Sequence, residues 1–207
     1  MNAPCSAAPA RSAPRAHASS ALALAAALAL PACIERPYDG TAGSSAQVAA
    51  APKAQVDRGS LRDVLLTAVP EGMVPVGALF GGAAELVGYR AEPPQIVPGQ
   101  RLRLTLVWRC KSELEPWHVF VHLDDASGGS ERIHAEHDPA GGRFPTDAWK
   151  AGDLIADSFT VTAGRTALNL YLGLYSNGEN RLVMNSPGRG RDDGANRLLA
   201  GTIPLAK

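Results

Sequence analysis

The amino-acid sequence predicts an all-β protein, with an antiparallel β-sandwich of about eight strands in residues 73–207. Three observations predict this fold. Apolar and polar residues alternate with a period of two along several short segments, as expected of half-buried strands. Turn residues such as Gly, Pro and Asn separate these segments. About 135 residues are also enough to bury a hydrophobic core without disulfide bonds.

The alternation is clearest in three segments. Residues 101–109, RLRLTLVWR, place every leucine and Trp108 on one face and the arginines on the other. Residues 117–125, WHVFVHLDD, and residues 167–175, ALNLYLGLY, alternate in the same way. Because successive side chains of a strand point to opposite faces, the apolar face of each segment is predicted to line the core.

Shorter apolar segments predict the remaining strands, and the pair Asn177-Gly178 predicts a hairpin turn between two of them. The segments are residues 83–91 (AAELVGYRA), 131–138 (ERIHAEHD), 154–162 (LIADSFTVT), 181–184 (RLVM) and 197–205 (RLLAGTIPL).

The N-terminal residues 1–32 have the three-part organisation of a secretory signal peptide. The first part contains Arg11 and Arg15 and no acidic residue, residues 19–30 are small or apolar, and small residues follow. The apolar run of about 12 residues is too short to span a bilayer as a helix, which takes roughly 20. A buried helix of a globular domain is the alternative, but the run is rich in Ala and has no polar face.

Residues 33–72 are predicted to form a flexible, disordered tether that contains one short helix. The part from residue 34 to residue 58 is rich in Gly, Ser, Ala and Pro, and it cannot bury enough apolar surface to fold alone. Ser60 followed by Asp63 and an apolar run predicts a short capped helix that ends before Pro70.

Residues 30–33, LPAC, resemble the bacterial lipobox, although Pro31 departs from its commonest second residue. The resemblance implies cleavage before Cys33, a diacylglycerol on the Cys33 sulfur and a further acyl chain, such as palmitate, on the new amine. More than one acyl chain is needed for lasting membrane anchorage. Ile34 in place of an aspartate implies sorting to the outer membrane of the cell envelope, with the domain periplasmic or surface-facing.

The segments PGQRLRLTLVW, VFVHL, HDPAGGRFPTDAW, GDLIADSF and LGLY resemble a second family. They are similar to β-sandwich domains of bacterial envelope proteins, including soluble C-terminal portions of glycosyltransferase-like membrane proteins. The resemblance covers roughly residues 80–205 and implies a sandwich in the envelope, without an established activity. Its positions are Pro98, Gly99, Trp108, Phe120, His122, Leu123, Asp138, Gly142, Pro145, Thr146, Trp149, Gly152, Asp157, Gly173, Leu174 and Tyr175.

Four aromatic residues are candidates for contact with a glycan or a partner chain, namely Trp149, Phe144, Tyr171 and Tyr175. Tyr171 and Tyr175 lie opposite the leucines of their segment and are therefore predicted to be exposed. For Trp149 the favoured alternative is a structural one, in which the indole fills the core beneath its own loop.

A metal site is a second hypothesis, with His122, His137, Asp138 and Asp157 as candidate ligands. Imidazole and carboxylate ligands are typical of zinc, but the sequence has no HExxH or His-x-His spacing. The structural alternative is that His122 and Asp157 form hydrogen bonds that hold the irregular segment GGRFPTDAW in place.

The motifs favour a non-catalytic protein without a cofactor. No GxSxG or SxxK motif is present, and the three cysteines have no CxxC spacing, with Cys110 predicted to be a buried structural residue. The 20 basic and 20 acidic residues form no large field of one sign, which excludes nucleic acid as an obvious partner. The leading hypothesis is a lipid-anchored binding or assembly module for an envelope protein or glycan. The alternative is a carbohydrate-processing or metal-dependent envelope enzyme that uses His122 and nearby acids.

Overall fold

The computed structural model of the protein describes residues 53–207. The predicted signal peptide, Cys33 and the part of the predicted tether before residue 53 lie outside the described residues. Among residues 53–207, no helix is long and apolar enough to cross a membrane.

The described residues form two antiparallel sheets packed face to face, which confirms the predicted all-β sandwich. The first sheet has the strand order β1-β7-β4-β3-β2-β10, and the second has the order β11-β12-β8-β5-β6, with β9 paired to β8. The strands are β1 (Leu65–Leu66), β2 (Val74–Phe80), β3 (Ala84–Glu92), β4 (Arg101–Cys110), β5 (His118–Asp125), β6 (Arg132–His134), β7 (Leu154–Thr162), β8 (Leu168–Ser176), β9 (Asn180–Arg181), β10 (Met184–Ser186), β11 (Arg191–Asp192) and β12 (Leu198–Ile203).

The core lies between the two sheets and is built from the alternating apolar residues. The leucines of β4 and Trp108 are at most 1% exposed, and the four leucines of β8 are fully buried. Burial of each such side chain contributes about 1.5–3 kcal/mol relative to exposure, so the alternation accounts for the packing of the two sheets. Cys110 is also buried, as predicted, and its thiol donates a hydrogen bond to the Ser112 carbonyl at 3.0 Å.

Strand β2 was not expected from the sequence, because Pro75 and Gly77 interrupt its alternation. Gly77 has a positive φ of 73°, and the pairing of β2 with β3 shifts register between Pro75 and Ala78. A β-bulge of this kind lets a strand accommodate residues that a regular ladder excludes.

Residues 181–184 were predicted to form one strand after the hairpin turn, but they are divided between β9 and β10. The turn at residues 177–179 forms, with Gly178 at a φ of 70°, and β9 pairs back on β8. The chain then crosses to the first sheet, where β10 pairs with β2. The side chain of Met184 is 9% exposed and belongs to the core that the two sheets share.

In place of the predicted short helix after Ser60, the chain forms the 3-10 turn Arg58–Ser60, followed by β1. The Asp57 carboxylate caps this turn by accepting the Gly59 N–H at 2.9 Å. Leu61 and Val64 are buried in the core, and β1 pairs with β7. The packed sandwich therefore includes residues that precede the predicted domain boundary at residue 73.

Candidate functional site

The outer face of the second sheet carries a set of aromatic and polar side chains aligned by strand register. His122 on β5 lies directly opposite Tyr171 on β8 and opposite His134 on β6. Farther along the same strands, His118 lies opposite Tyr175. The intervening valines and leucines point into the core, so these side chains project from the opposite face, as alternation requires.

Phe120 forms the floor of this face. Its ring lies across Gly173 of β8, where a Cβ atom would be 2.6 Å from two ring carbons. The Arg181 guanidinium lies over the ring at 4.8 Å from its centroid, a geometry that favours a cation–π interaction. Phe120 is consequently only 4% exposed although it belongs to the outer face.

An open cavity of about 320 Å³ lies above this floor. It combines aromatic rings with a cation, a carboxylate and two imidazoles, which is the mixture of apolar surface and few convergent polar groups typical of ligand sites. The cavity is lined by Phe120, His122, His134, Glu136, Tyr175 and Arg181.

Glu136 links the two imidazoles of the cavity. Its Oε1 is 3.0 Å from Nε2 of His122 and 3.0 Å from Nδ1 of His134. Burial alone would raise the pKa of Glu136, but hydrogen bonds from His134, the backbone and His122 outweigh burial and lower that pKa. Burial is the main reason that the pKa of His122 is lowered, so at neutral pH the cavity presents a carboxylate next to an uncharged His122 ring.

A second polar cavity of about 350 Å³ continues along the same face toward Tyr171. Arg197 lies over the Tyr171 ring, 4.0 Å from its centroid. Arg132 donates two hydrogen bonds to the Asp124 carboxylate, at 2.6 and 2.7 Å, and Arg197 pairs with Asp193. Both cations at this end of the face are therefore already paired with carboxylates.

Phe144 and Trp149 are buried and cannot form part of an exposed binding surface. They are 0% and 2% exposed, and the Trp149 indole N–H donates to the Phe144 carbonyl at 2.9 Å. The Trp149 ring also lies 6.4 Å from the ring of Trp108. The structural alternative for Trp149 is thus confirmed, whereas Tyr171 and Tyr175 are partly exposed on the outer face.

The four predicted metal ligands are not brought together. Nε2 of His137 is 2.9 Å from Oδ2 of Asp157 on β7 of the first sheet, whereas His122 lies on the outer face of the second sheet. Asp138 contacts the ring of His118 instead. The metal site predicted from these four residues is therefore not formed. An isolated β-bridge between Val119 and His137 places His137 away from the cavity.

Asp157 has the structural role that the sequence offered as an alternative. Its carboxylate is fully buried and accepts the Ala140 N–H at 3.0 Å as well as contacting His137. Burial alone would lower the pKa of His137, but the hydrogen bond and charge of Asp157 outweigh it and raise that pKa. Asp157 thereby fixes the start of the segment GGRFPTDAW, whereas His122 contacts Glu136 and takes no part in holding that segment.

Four residues of the cavity were not candidates from the sequence, namely Phe120, His134, Glu136 and Arg181. The spacing His134-x-Glu136 was available as a signal, because residues two apart on a strand share a face. Arg181 carried no such signal, since it reaches the cavity only through the short pairing of β9 with β8.

No family model matches the chain, and no curated protein matches it. Among solved structures the chain is similar to one described as the crystal structure of the C-terminal domain of wzt. The sequence identity is 11% and the TM-score is 0.40, over 67% of this chain and 90% of that chain. The fold and the site described above rest on the strand pairing and contacts of this chain alone.

Proposed function

We propose that the protein is a lipid-anchored module of the cell envelope that binds a glycan, without catalysis, on the outer face of the second sheet. The observation that supports this proposal is the open cavity of about 320 Å³ with Phe120 as its floor and Tyr175 in its wall. It lies on a sheet face whose side chains are positioned by strand pairing, so the surface exists before a ligand arrives.

The chemistry of the cavity suits a sugar better than a purely apolar ligand. A pyranose ring has apolar C–H faces, which pack on aromatic rings, and hydroxyl groups that both donate and accept hydrogen bonds. Tyr175 offers an aromatic ring with a polar hydroxyl, Glu136 is an acceptor when ionised, and Arg181 is a fork of donors. Such a set can satisfy several hydroxyls of one sugar unit.

Catalysis is disfavoured by the separation of the groups on which the enzyme hypothesis depends. That hypothesis uses His122 and nearby acids, and convergence of His122, His137 and a carboxylate in one cleft would favour it. Asp157 is fully buried and engaged by His137 and Ala140. His122 contacts Glu136 and is not brought together with His137, so the arrangement that would favour an enzyme does not form, and we propose binding rather than catalysis.

Glycan binding is tested with the full chain on an array of bacterial polysaccharides and peptidoglycan fragments. Replacement of Tyr175 by Ala is expected to weaken binding to the recognised glycan by tenfold or more, because it removes the wall of the cavity. Arg103→Ala is the control, since Arg103 is exposed on the first sheet and should leave binding unchanged. Absence of glycan binding, or equal binding by both variants, would contradict the proposal and favour a protein partner.

The anchor at Cys33 is tested separately. The wild-type chain and Cys33→Ala are expressed in bacteria, the cells are fractionated, and the mass of the mature N-terminus is measured. Membrane recovery and acyl mass in the wild type alone are expected, because the thiol is the group that takes up the lipid. A soluble, unacylated wild-type chain would exclude the lipid anchor while leaving the glycan experiment unaffected.

A further inference from the structure

We propose that His122, His134 and Glu136 bind a divalent transition-metal ion of the zinc class at the wall of the outer-face cavity. Their ligand atoms, Nε2, Nδ1 and Oε1 respectively, all lie within 4.8 Å of one another. This site shares only His122 with the ligands predicted from sequence, and it does not depend on whether the face binds a glycan.

The distances are close to those of a metal-bound state. Ligands about 2.1 Å from a tetrahedral zinc ion lie about 3.4 Å from one another. The Glu136 oxygen is already 3.0 Å from each nitrogen. The three ligand atoms lie within 4.8 Å of one another, so metal binding would require the two imidazole nitrogens to move closer together, to about 3.4 Å.

Strand pairing holds the backbone of all three residues in place. His122 and His134 are directly opposite in the β5–β6 ladder, and the Ala135 N–H donates to the Val121 carbonyl at 2.9 Å just beyond it. Glu136 therefore emerges on the same face as His134. A site built on paired strands is positioned more precisely than one built on a free loop.

The ligand set and its surroundings match a metal with an open coordination position. Two imidazoles and one carboxylate suit zinc and its first-row neighbours rather than calcium or magnesium. The three ligands occupy one wall of the cavity, and Phe120, Tyr175 and Arg181 line the remainder. A fourth ligand would thus enter from the open cavity, where Arg181 favours an anion or a hydroxyl oxygen.

The environment of Nδ1 of His122, the ring nitrogen that does not face Glu136, limits the affinity of the site for a metal ion. Nδ1 of His122 is buried and has no hydrogen-bond partner. With Nε2–H donated to Glu136, Nδ1 is an unpaired acceptor; with a metal on Nε2, Nδ1 carries the proton and is an unpaired donor. Nδ1 of His122 therefore has no partner with or without the metal. A metal-binding histidine usually donates its second N–H to an acceptor, and the lack of such an acceptor here is expected to lower the metal affinity by about 10–100-fold.

The test is calorimetric titration of the full chain with Zn²⁺ alone. Wild type is expected to bind one ion through this site, and His134→Ala and Glu136→Gln should each weaken that binding by tenfold or more. His118→Ala is the matched control, because His118 is another partly exposed histidine of the same face and pairs with Asp138. Far-UV circular dichroism verifies that all four proteins are folded.

Substitution of Co²⁺ for Zn²⁺ identifies the ligands directly. A nitrogen–oxygen site gives visible ligand-field bands without thiolate charge-transfer absorption, and these bands should disappear in His134→Ala but persist in His118→Ala. Histidine side-chain NMR should show metal-dependent changes at His122 and His134. Unchanged Zn²⁺ affinity in both site variants, a thiolate spectrum, or no Zn²⁺ binding at all would overturn the proposal.

Discussion

The ring of Phe120 lies so close to Gly173 on the neighbouring strand that a Cβ atom at Gly173 would be 2.6 Å from the ring carbons Cε1 and Cζ. The carbonyl oxygen of Asn196 would be 3.1 Å from the same atom. Gly173 is therefore required for the position of Phe120, and the floor of the cavity depends on both residues.

Gly173→Ala is predicted to displace the Phe120 ring and to destabilise the protein by about 1–3 kcal/mol, as overpacking does. Urea denaturation measures the free energy of unfolding, and the glycan array measures the accompanying loss of binding. Gly164→Ala is the control, because its new Cβ atom meets only the end of the flexible Glu131 side chain. Equal stability of the two variants would contradict the role assigned to Gly173.

The carboxylates of Asp157 and Asp138 are predicted to differ sharply in their contribution to stability. Removal of the buried Asp157 carboxylate in Asp157→Ala leaves His137 and the Ala140 N–H without their acceptor, and we expect a loss of about 3–5 kcal/mol. Asp138→Ala removes an exposed pair with His118 and should cost less than about 1 kcal/mol. Thermal and urea denaturation compare the two, and similar losses would show that Asp157 does not anchor the following segment.

Phe144 and Tyr175, both candidates for ligand contact from the sequence, are predicted to have different roles: Phe144 stabilises the core, and Tyr175 contacts the ligand. Phe144→Ala should destabilise the protein by about 3–5 kcal/mol, because the ring is fully buried and its removal leaves a cavity. Tyr175→Ala should cost far less stability, since the Tyr175 ring lies at the edge of an open cavity. Chemical denaturation tests this order, and a greater loss for Tyr175→Ala would contradict it.

The two-residue alternation of β4 and β8 was sufficient to predict the sandwich, because a period of two with leucines on one face has few other structural solutions. The same pattern correctly placed His122, Tyr171 and Tyr175 on the face away from the core. These predictions depend on local geometry alone, which a sequence specifies directly.

The rest of the site depends on tertiary pairing. Burial of Phe144 and Trp149 results from folding of an irregular segment over the core, and no periodicity predicts such folding. The convergence of His134 and Glu136 on His122 depends on the register between β5 and β6. A shift of one residue would place His134 on the opposite face, so the histidines alone could not identify the cluster.

An exposed ion pair between Asp63 and Arg143 adds to the buried packing of Leu61 and Val64, which joins the N-terminal segment of the described chain to the sandwich. The two terminal nitrogens of the Arg143 guanidinium donate to the Asp63 carboxylate, at 2.6 and 2.8 Å, and one of them also donates to the Ser60 carbonyl at 2.9 Å. The hydrogen bond from Arg143, followed by a backbone hydrogen bond, lowers the pKa of Asp63 from 3.8 to about 2.

Arg143→Gln is therefore predicted to raise the pKa of Asp63 part of the way toward 3.8, because the backbone hydrogen bond remains. A carboxyl group whose pKa is lower in the folded state stabilises the protein above its unfolded-state pKa and loses that effect as the pH falls through its folded-state pKa. The contribution of Asp63 should consequently disappear between pH 3.8 and about pH 2. Carbon-13 NMR titration of the carboxyl groups measures this change, with Asp125 as an internal control whose pKa is lowered by Ser127 rather than by Arg143. An Asp63 pKa that is the same in wild type and Arg143→Gln would show that the ion pair does not form in solution.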